Sequence, residues 1–296
     1  MFTGLSAFPL TPSTDDGIDE AAYARLIRRL VDAGVDSIGA LGSTGSYAYF
    51  SREERARAAI VAVENAGDVP VIVGVGALRT RDVLHHVEDA QNAGASAVLL
   101  APMTYQPLTD DEVFGLYRDV SANLSVPLVV YDNPGTTHFH FSDELHARIA
   151  QLSSVASIKI PPVSSDVDDA RARIAGLRAL ISANVTIGVS GDGTAATGLL
   201  AGADVWYSVL AGTMPSECVA ITAAARAGDV DTARSLSDRL SSIWTLFGRY
   251  GSYRVVTAIA EVMCSMSPGL PDPVKGLDSN ARAALESALG VIKRDA

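Results

Sequence analysis

The chain has 296 residues, 48% hydrophobic and 19% charged, with 34 acidic against 23 basic side chains and a net charge of -11. No basic run interrupts that acidity, which excludes nucleic acid and an anionic membrane as partners, so any anionic ligand must be met by local donors. Cys218 and Cys264 lack CxxC or metal-ligand spacing, no apolar stretch reaches the ~20 residues of a membrane span, and Met1-Phe2-Thr3-Gly4 opens into strand-like sequence rather than a signal peptide, so a reducing cytoplasm is expected.

Eight short apolar runs read as strands, near residues 5–8, 37–41, 71–75, 97–101, 128–131, 156–160, 186–189 and 205–209. Most segments between them have helical patterning. The first, 19–31, sets Ala22, Leu26, Ile27 and Leu30 on one face. A loose repeat joins helix to strand: Asp32-Ala33-Gly34-Val35, Asn92-Ala93-Gly94-Ala95 and Leu200-Ala201-Gly202-Ala203 each end a helix on glycine and start an apolar strand. A second variant enters the strand through proline, at Pro70 and Pro127. Strands apolar throughout and alternating with helices make a parallel sheet covered on both faces. Eight such units, with no Gly-rich dinucleotide fingerprint, favour a closed (β/α)8 TIM barrel over a doubly wound open sheet. Beyond Gly212 the strand signal stops, and helices are expected over 215–227, 231–247, 253–263 and 279–292. The expected organisation is a barrel over 1–225 followed by a C-terminal helical region over 226–296.

Only three lysines occur, against twenty arginines. Lys275 and Lys293 fall in polar, tail-like sequence, whereas Lys159 lies inside the apolar run Val155-Ala156-Ser157-Ile158-Lys159-Ile160. Arginine supplies charge but cannot be deprotonated to act as an amine nucleophile. A desolvated lysine can, and it forms a Schiff base with a carbonyl substrate. The competing reading is a strand-end lysine that reaches water or pairs with a carboxylate.

In barrels of this type, reacting groups sit at the C-terminal ends of the strands and on the loops that follow. That rule selects Gly42-Ser43-Thr44-Gly45 after the second strand, Tyr131-Asp132-Asn133-Pro134 after the fifth, Lys159 on the sixth, and Ser190-Gly191-Asp192-Gly193 after the seventh. Glycine backbone N–H groups with the Ser43 and Thr44 hydroxyls suit a small carboxylate; an ordinary turn is the plain alternative. His138 and His140 form an HxH pair without an evident third ligand and read as polar loop residues. The adjacent His85 and His86 do not share a helix face.

Taken in that order and at those separations, Gly42-Ser43-Thr44-Gly45, Tyr131-Asp132-Asn133-Pro134 and Ser157-Ile158-Lys159 resemble the dihydrodipicolinate synthase / N-acetylneuraminate lyase family. The resemblance extends to Ala7-Phe8-Pro9-Leu10-Thr11-Pro12 and to Ser190-Gly191-Asp192, and so to essentially the whole chain. It implies a class I lyase or aldolase that acts on pyruvate or a 2-oxo acid, commonly with an aldehyde, and needs no cofactor or metal. By the resemblance, Lys159 would condense with the ketone and Tyr131 would relay protons, with Thr44 as a third catalytic group. Ser43 and Thr44 would hold the carboxylate, and Gly191, Tyr207, Thr136 and Tyr105 would complete the substrate site. A homodimer or homotetramer is also implied, with the loop after the fourth strand at a subunit boundary.

The departures from that family matter as much. Its synthases usually carry an arginine shortly after the Tyr-Asn-x-Pro run, gripping the carboxylate of the aspartate semialdehyde; Thr136 stands in that place here. Paired tyrosines after the fourth strand are replaced by Thr104 and Tyr105, and the usual glutamate after the Gly-x-Thr-Gly turn is Ser46. A hydrogen bond to a charged group is worth roughly 1.5–3 kcal/mol, so loss of the arginine weighs against dihydrodipicolinate synthesis and for another second substrate. A non-catalytic 2-oxo-acid binder is the reading from another class, and it has no need of an amine nucleophile. Lysine-making relatives bind lysine near the stretches matching Tyr47 to Arg52 and Ala77 to Thr80. Arg52 and Arg79 would repel its ammonium groups, so no feedback by lysine is expected.

Overall fold

In the computed structural model, residues 2–294 apart from 15 and 267 are described, without the side chains of 293 and 294. Eight parallel strands run β1 Gly4–Ala7, β2 Ser37–Ala40, β3 Val71–Gly74, β4 Ala97–Leu100, β5 Leu128–Tyr131, β6 Val155–Ile160, β7 Thr186–Val189 and β8 Val205–Ser208. The sheet closes because β1 pairs with β2 at Ser6↔Ser37 and with β8 at Gly4↔Val205. Closure removes the open-sheet alternative. A two-stranded ribbon, Ser13–Thr14 against Gly17–Ile18, precedes the first helix; its strands are too short to carry any periodicity.

The helices begin where their caps dictate. Asp19 accepts a hydrogen bond from the Ala22 amide at 2.9 Å and starts the helix Glu20–Asp32. Ser51 and Glu54, and likewise Thr109 and Glu112, form reciprocal capping boxes at the starts of Arg52–Asn65 and Asp110–Ser121. The repeated helix-to-strand glycines Gly34, Gly94 and Gly202 all take positive φ, at +78°, +86° and +104°. A side chain in that conformation would clash with its own backbone, hence the recurrence of glycine.

Successive strand residues face opposite ways. Outward-facing Ile38, Val73, Val98, Val130, Ile158 and Ile187 pack with the helices in one large core. A smaller core fills the barrel with Phe8, Ile72, Leu99, Val129, Tyr131, Val205 and Tyr207.

The C-terminal helices are Pro215–Arg226, Val230–Asp238, Ser241–Tyr250, Ser252–Met263 and Ser279–Arg294. The expected single helix over 231–247 is therefore two. At the break the Ser237 carbonyl accepts both the Leu240 amide and the Trp244 indole N–H, each at 3.0 Å, and Leu240 is buried. Ala22 and Leu26 of the first barrel helix share a core with Val256, Ala260 and Met266. The Tyr253 and Ser46 hydroxyls are hydrogen-bonded, tying a C-terminal helix to the turn after β2.

Candidate active site

Strand register brings the site together. Tyr131 of β5 pairs with Lys159 of β6, and Lys159 pairs with Gly188 of β7. Both side chains point into the barrel near the C-terminal ends of their strands. A Cβ at Gly188 would lie 2.2 Å from the Tyr207 ring, and one at Gly39 would lie 2.4 Å from the Phe8 ring. Glycine at these two places is what admits the aromatic rings. They converge on the lysine: Nζ of Lys159 lies 3.9 Å from the centre of the Phe8 ring, 4.4 Å from Tyr131 and 5.6 Å from Tyr207.

Lys159 is 3% exposed, and its amine has no hydrogen bond or ion pair among the described residues. Burial disfavours the ammonium and brings its pKa down from 10.5 to about 7, although the Asp192 carboxylate pulls the other way. Asp192 is itself committed: it accepts from the Ser208 hydroxyl at 2.6 Å, the Trp206 indole at 3.1 Å and the Val209 amide at 3.3 Å. Burial pushes the Asp192 carboxyl's own pKa up, and these hydrogen bonds together with the Lys159 charge oppose that rise. A large fraction of neutral amine at neutral pH is the state that attacks a carbonyl carbon.

The Tyr131 hydroxyl lies 3.1 Å from Ser43 Oγ and receives the side-chain N–H of Asn133 at 2.8 Å. Burial raises its pKa, and the hydrogen bonds from Ser43 and Asn133 oppose that rise. Ser43 is delivered by a tight turn that opens on Leu41, a non-glycine residue at φ +55°. Backbone in that region costs of order 1–3 kcal/mol and persists where surrounding structure enforces it. The Leu41 carbonyl sits where a Cβ at residue 74 would be, so Gly74 makes the turn possible.

Of the residues singled out from sequence, Lys159, Tyr131, Ser43 and Tyr207 are brought together. The Tyr207 hydroxyl is bound to Ser157 Oγ at 2.7 Å, so it is committed within the barrel while its ring lies near the lysine amine. Thr44 is buried beside Ser43, and its hydroxyl bonds no described residue. Gly191 takes φ +81° and packs against Pro162. Thr136 is exposed and bonds the Asn133 carbonyl. Tyr105 is 88% exposed, and Thr104 turns back onto the Gln106 carbonyl, so neither reaches Tyr131 within the chain. Phe8, Asn133 and Asp192 lay in quoted motifs without a role; only the folded register shows what each touches.

Among the described residues, no group of three His, Cys, Asp or Glu side chains could hold a metal; His138 and His140 are both exposed. A cavity of about 360 Å³ is lined by Tyr47, Arg52, Arg55, Leu78, Asp82 and His86, among others. Arg52 is bonded to Asp89 at 2.7 Å, and the buried Arg55 donates to the Gly74 and Gly76 carbonyls. Arg55 thus supplies the second guanidinium expected there, in place of Arg79, which lies outside the lining.

The dihydrodipicolinate synthetase family model matches residues 1–292. The chain belongs to this family. It is 31% identical over 294 residues to a 4-hydroxy-tetrahydrodipicolinate synthase of Hyphomonas neptunium, covering 98% of each chain. It is 30% identical to a DapA-like lyase of Halobacterium salinarum, over 93% of this chain and 88% of that one. Among solved structures, a dihydrodipicolinate synthase of Agrobacterium tumefaciens superimposes with a TM-score of 0.95 at 41% identity, covering 98% of each chain. The Acinetobacter baumannii synthase solved with pyruvate gives 0.89 at 26% identity, over 99% of each chain. The chain is accordingly a lyase of the dihydrodipicolinate synthase type, built on the eight-stranded barrel of its relatives. Among the described residues, no helix is long and apolar enough to cross a membrane.

Proposed function

We propose that this family member is a Schiff-base lyase or aldolase that uses pyruvate or a related 2-oxo acid through Lys159. The observation that carries the reading is the unpaired, buried amine of Lys159, set over the Phe8 and Tyr131 rings with its pKa near 7. In the proposed sequence, neutral Nζ attacks the ketone carbon, and the carbonyl oxygen takes up a proton to give a carbinolamine. Loss of water leaves a protonated imine. That imine draws electrons from C3, so a proton or a carbon group departs there as an enamine forms, and the reverse step makes the C–C bond. Tyr131 carries protons to and from the adduct. Ser43 and Thr44 receive the carboxylate, with Gly191 and Tyr207 shaping the pocket; no cofactor takes part.

Borohydride treatment in the presence of pyruvate tests this directly. A reduced three-carbon adduct is expected on the peptide containing Lys159. Its absence there, or its persistence in Lys159→Ala, would defeat the reading and leave the family member a 2-oxo-acid binder.

A second reading, 4-hydroxy-tetrahydrodipicolinate synthase itself, is favoured by the names of the relatives. Thr136 weighs against it, because an exposed hydroxyl offers a semialdehyde carboxylate no charge-assisted contact. Condensation of pyruvate with aspartate semialdehyde at a rate matching other aldehydes would favour this second reading. We place the protein in the cytoplasm as a homodimer or homotetramer. In that assembly the barrel over 1–225 carries the site, the helices over 226–296 buttress it, and the exposed Tyr105 lies near a subunit boundary. Light scattering showing only monomer at micromolar concentration would remove the assembly.

A further inference from the structure

Asn133 stands where a helix cap is expected and does something else. It is the N-cap residue of the short helix Pro134–Thr137, and asparagine there ordinarily turns its side chain onto the first free backbone amides. Here the side chain makes no cap bond. The backbone carbonyl of Asn133 instead takes the amides of Thr136 and Thr137 and both their hydroxyls. The amide side chain is thereby free, and it is spent on the Tyr131 hydroxyl at 2.8 Å. Pro134 contributes to the aim, since the residue before a proline is held out of the helical region, and Asn133 sits at φ -141° and ψ 73°.

A phenolic oxygen with a fixed N–H donor on one side behaves asymmetrically. The amide can only donate through that contact, so when Tyr131 is protonated its own proton is turned toward Ser43 Oγ. When Tyr131 is ionised, Ser43 and Asn133 can both donate to the phenolate. The titratable groups facing this oxygen are Lys159, across the register on β6, and Tyr47, from the turn after β2. Asp132 adjoins it in sequence but faces outward, and Tyr117 bonds the Leu100 carbonyl. Among the described residues, only Ser43 and Asn133 hydrogen-bond to Tyr131 Oη.

We propose that Asn133 is a positioning residue of the proton relay, one that orients the Tyr131 proton and stabilises the phenolate, and that with Ser43 it completes the relay within a single chain. This rests on the Schiff-base reading above. Within the chain the relay draws on no tyrosine from the loop after β4: Thr104 is folded onto its own loop and Tyr105 does not reach Tyr131.

The experiment is exchange of the pyruvate methyl protons for deuterium, followed across pH by mass measurement, with borohydride trapping at Lys159 run alongside. Exchange requires the enamine and a proton carrier but no second substrate. Asn133→Val removes the donor, and Asn133→Asp keeps size and shape while replacing the donor by an acceptor. Both should still trap pyruvate on Lys159. Exchange should fall roughly 10- to 100-fold, the scale of one hydrogen bond to a charged group. Whichever limb of the pH profile Tyr131 governs should move up, by about one unit in the valine variant and further in the aspartate one. An unaltered rate, or a fall with no displacement of the limb, would overturn the proposal by reducing Asn133 to a structural role. A limb displaced downward would overturn it too, because the amide would then be accepting from the phenol. Failure of the unmodified protein to trap pyruvate at all is a distinct result: it removes the Schiff-base reading and this inference with it. If the valine variant does not fold, the isosteric aspartate variant decides.

Discussion

Two buried groups of titratable residues lie back to back at the end of the same strand pair, one inside the barrel and one outside. Inside, Tyr131 and Lys159 face each other across the register, and the lysine amine has no carboxylate bonded to it. Outside, the next residue, Asp132, meets His146 with 3.5 Å between carboxylate and imidazole; Phe141 stacks flat on that imidazole at 4.9 Å. Both groups are desolvated. Burial lifts the Asp132 carboxyl from 3.8 to about 7 and depresses the His146 imidazole to about 4, so the outer pair approaches neutrality on its own. The outer pair sheds its charge but not its polarity: Asp132 Oδ1 and both imidazole nitrogens are buried without a hydrogen-bond partner among the described residues. What sets the inner group apart is an amine held among aromatic rings, a nucleophile in the proposed reaction, where the outer pair offers only a neutral carboxyl and imidazole.

The contrast is tested most severely at Lys159. Lys159→Met should abolish pyruvate trapping and turnover, and Lys159→Arg should do the same despite keeping the charge, because guanidinium forms no imine. The methionine variant should nevertheless be the more stable protein. A lysine whose folded pKa sits near 7 rather than 10.5 destabilises the fold fully below pH 7, and that penalty fades as pH rises toward 10.5. Removing it should gain on the order of a few kcal/mol at neutral pH in denaturant titrations. A loss of stability would mean that the amine is satisfied after all.

Tyr131→Phe keeps the ring against Lys159 and removes only the proton carrier. Turnover should drop by roughly 10²–10⁴-fold, the usual span for general acid–base catalysis, while the Lys159 adduct still forms. Loss of the adduct itself would make the hydroxyl part of the amine's environment instead. The pH dependence is a finer probe: the initial rate of trapping should rise as pH increases through about 7, following the neutral fraction of Lys159. A rate that climbs only near pH 10 would contradict the desolvated amine.

On the outer face the effects should be smaller and confined to stability. Asp132 has its folded pKa raised, so its ionisation costs stability increasingly from about pH 4 and fully above about 7. Asp132→Asn should thus leave stability unchanged at pH 4 and raise it by roughly 1–3 kcal/mol at pH 8, with trapping at Lys159 retained. Loss of trapping would join the two faces into one functional unit. Smallest of all, lysine at millimolar concentration should not inhibit turnover. The cavity after β2 and β3 sets the guanidinium groups of Arg52 and Arg55 against one lining carboxylate, Asp82, and Leu78 offers an ammonium group no acceptor. Clear inhibition would reassign that cavity.

Much of this protein follows from local chemistry. The eight strands come from apolar runs bounded by glycine and proline, and the helix starts come from Asp19, Ser51 and Thr109, all signals spanning a few residues. Lys159 stands out because a lysine inside Val155–Ile160 contradicts its surroundings, and that contradiction needs no structure to be seen. Barrel closure, the convergence of Phe8, Tyr131 and Tyr207 on one amine, and the pairing of Asp132 with His146 are of another kind. They depend on strands far apart in the chain meeting in one register, and on glycines at 39 and 188 whose value is the ring that fills the space they leave. The break at Leu240 and the turn of the Asn133 side chain are also tertiary. In each, a partner brought by the fold (the Trp244 indole at the Ser237 carbonyl, the Tyr131 hydroxyl at the Asn133 amide) makes a bond that the local pattern does not contain, and only the packed chain holds that partner within reach.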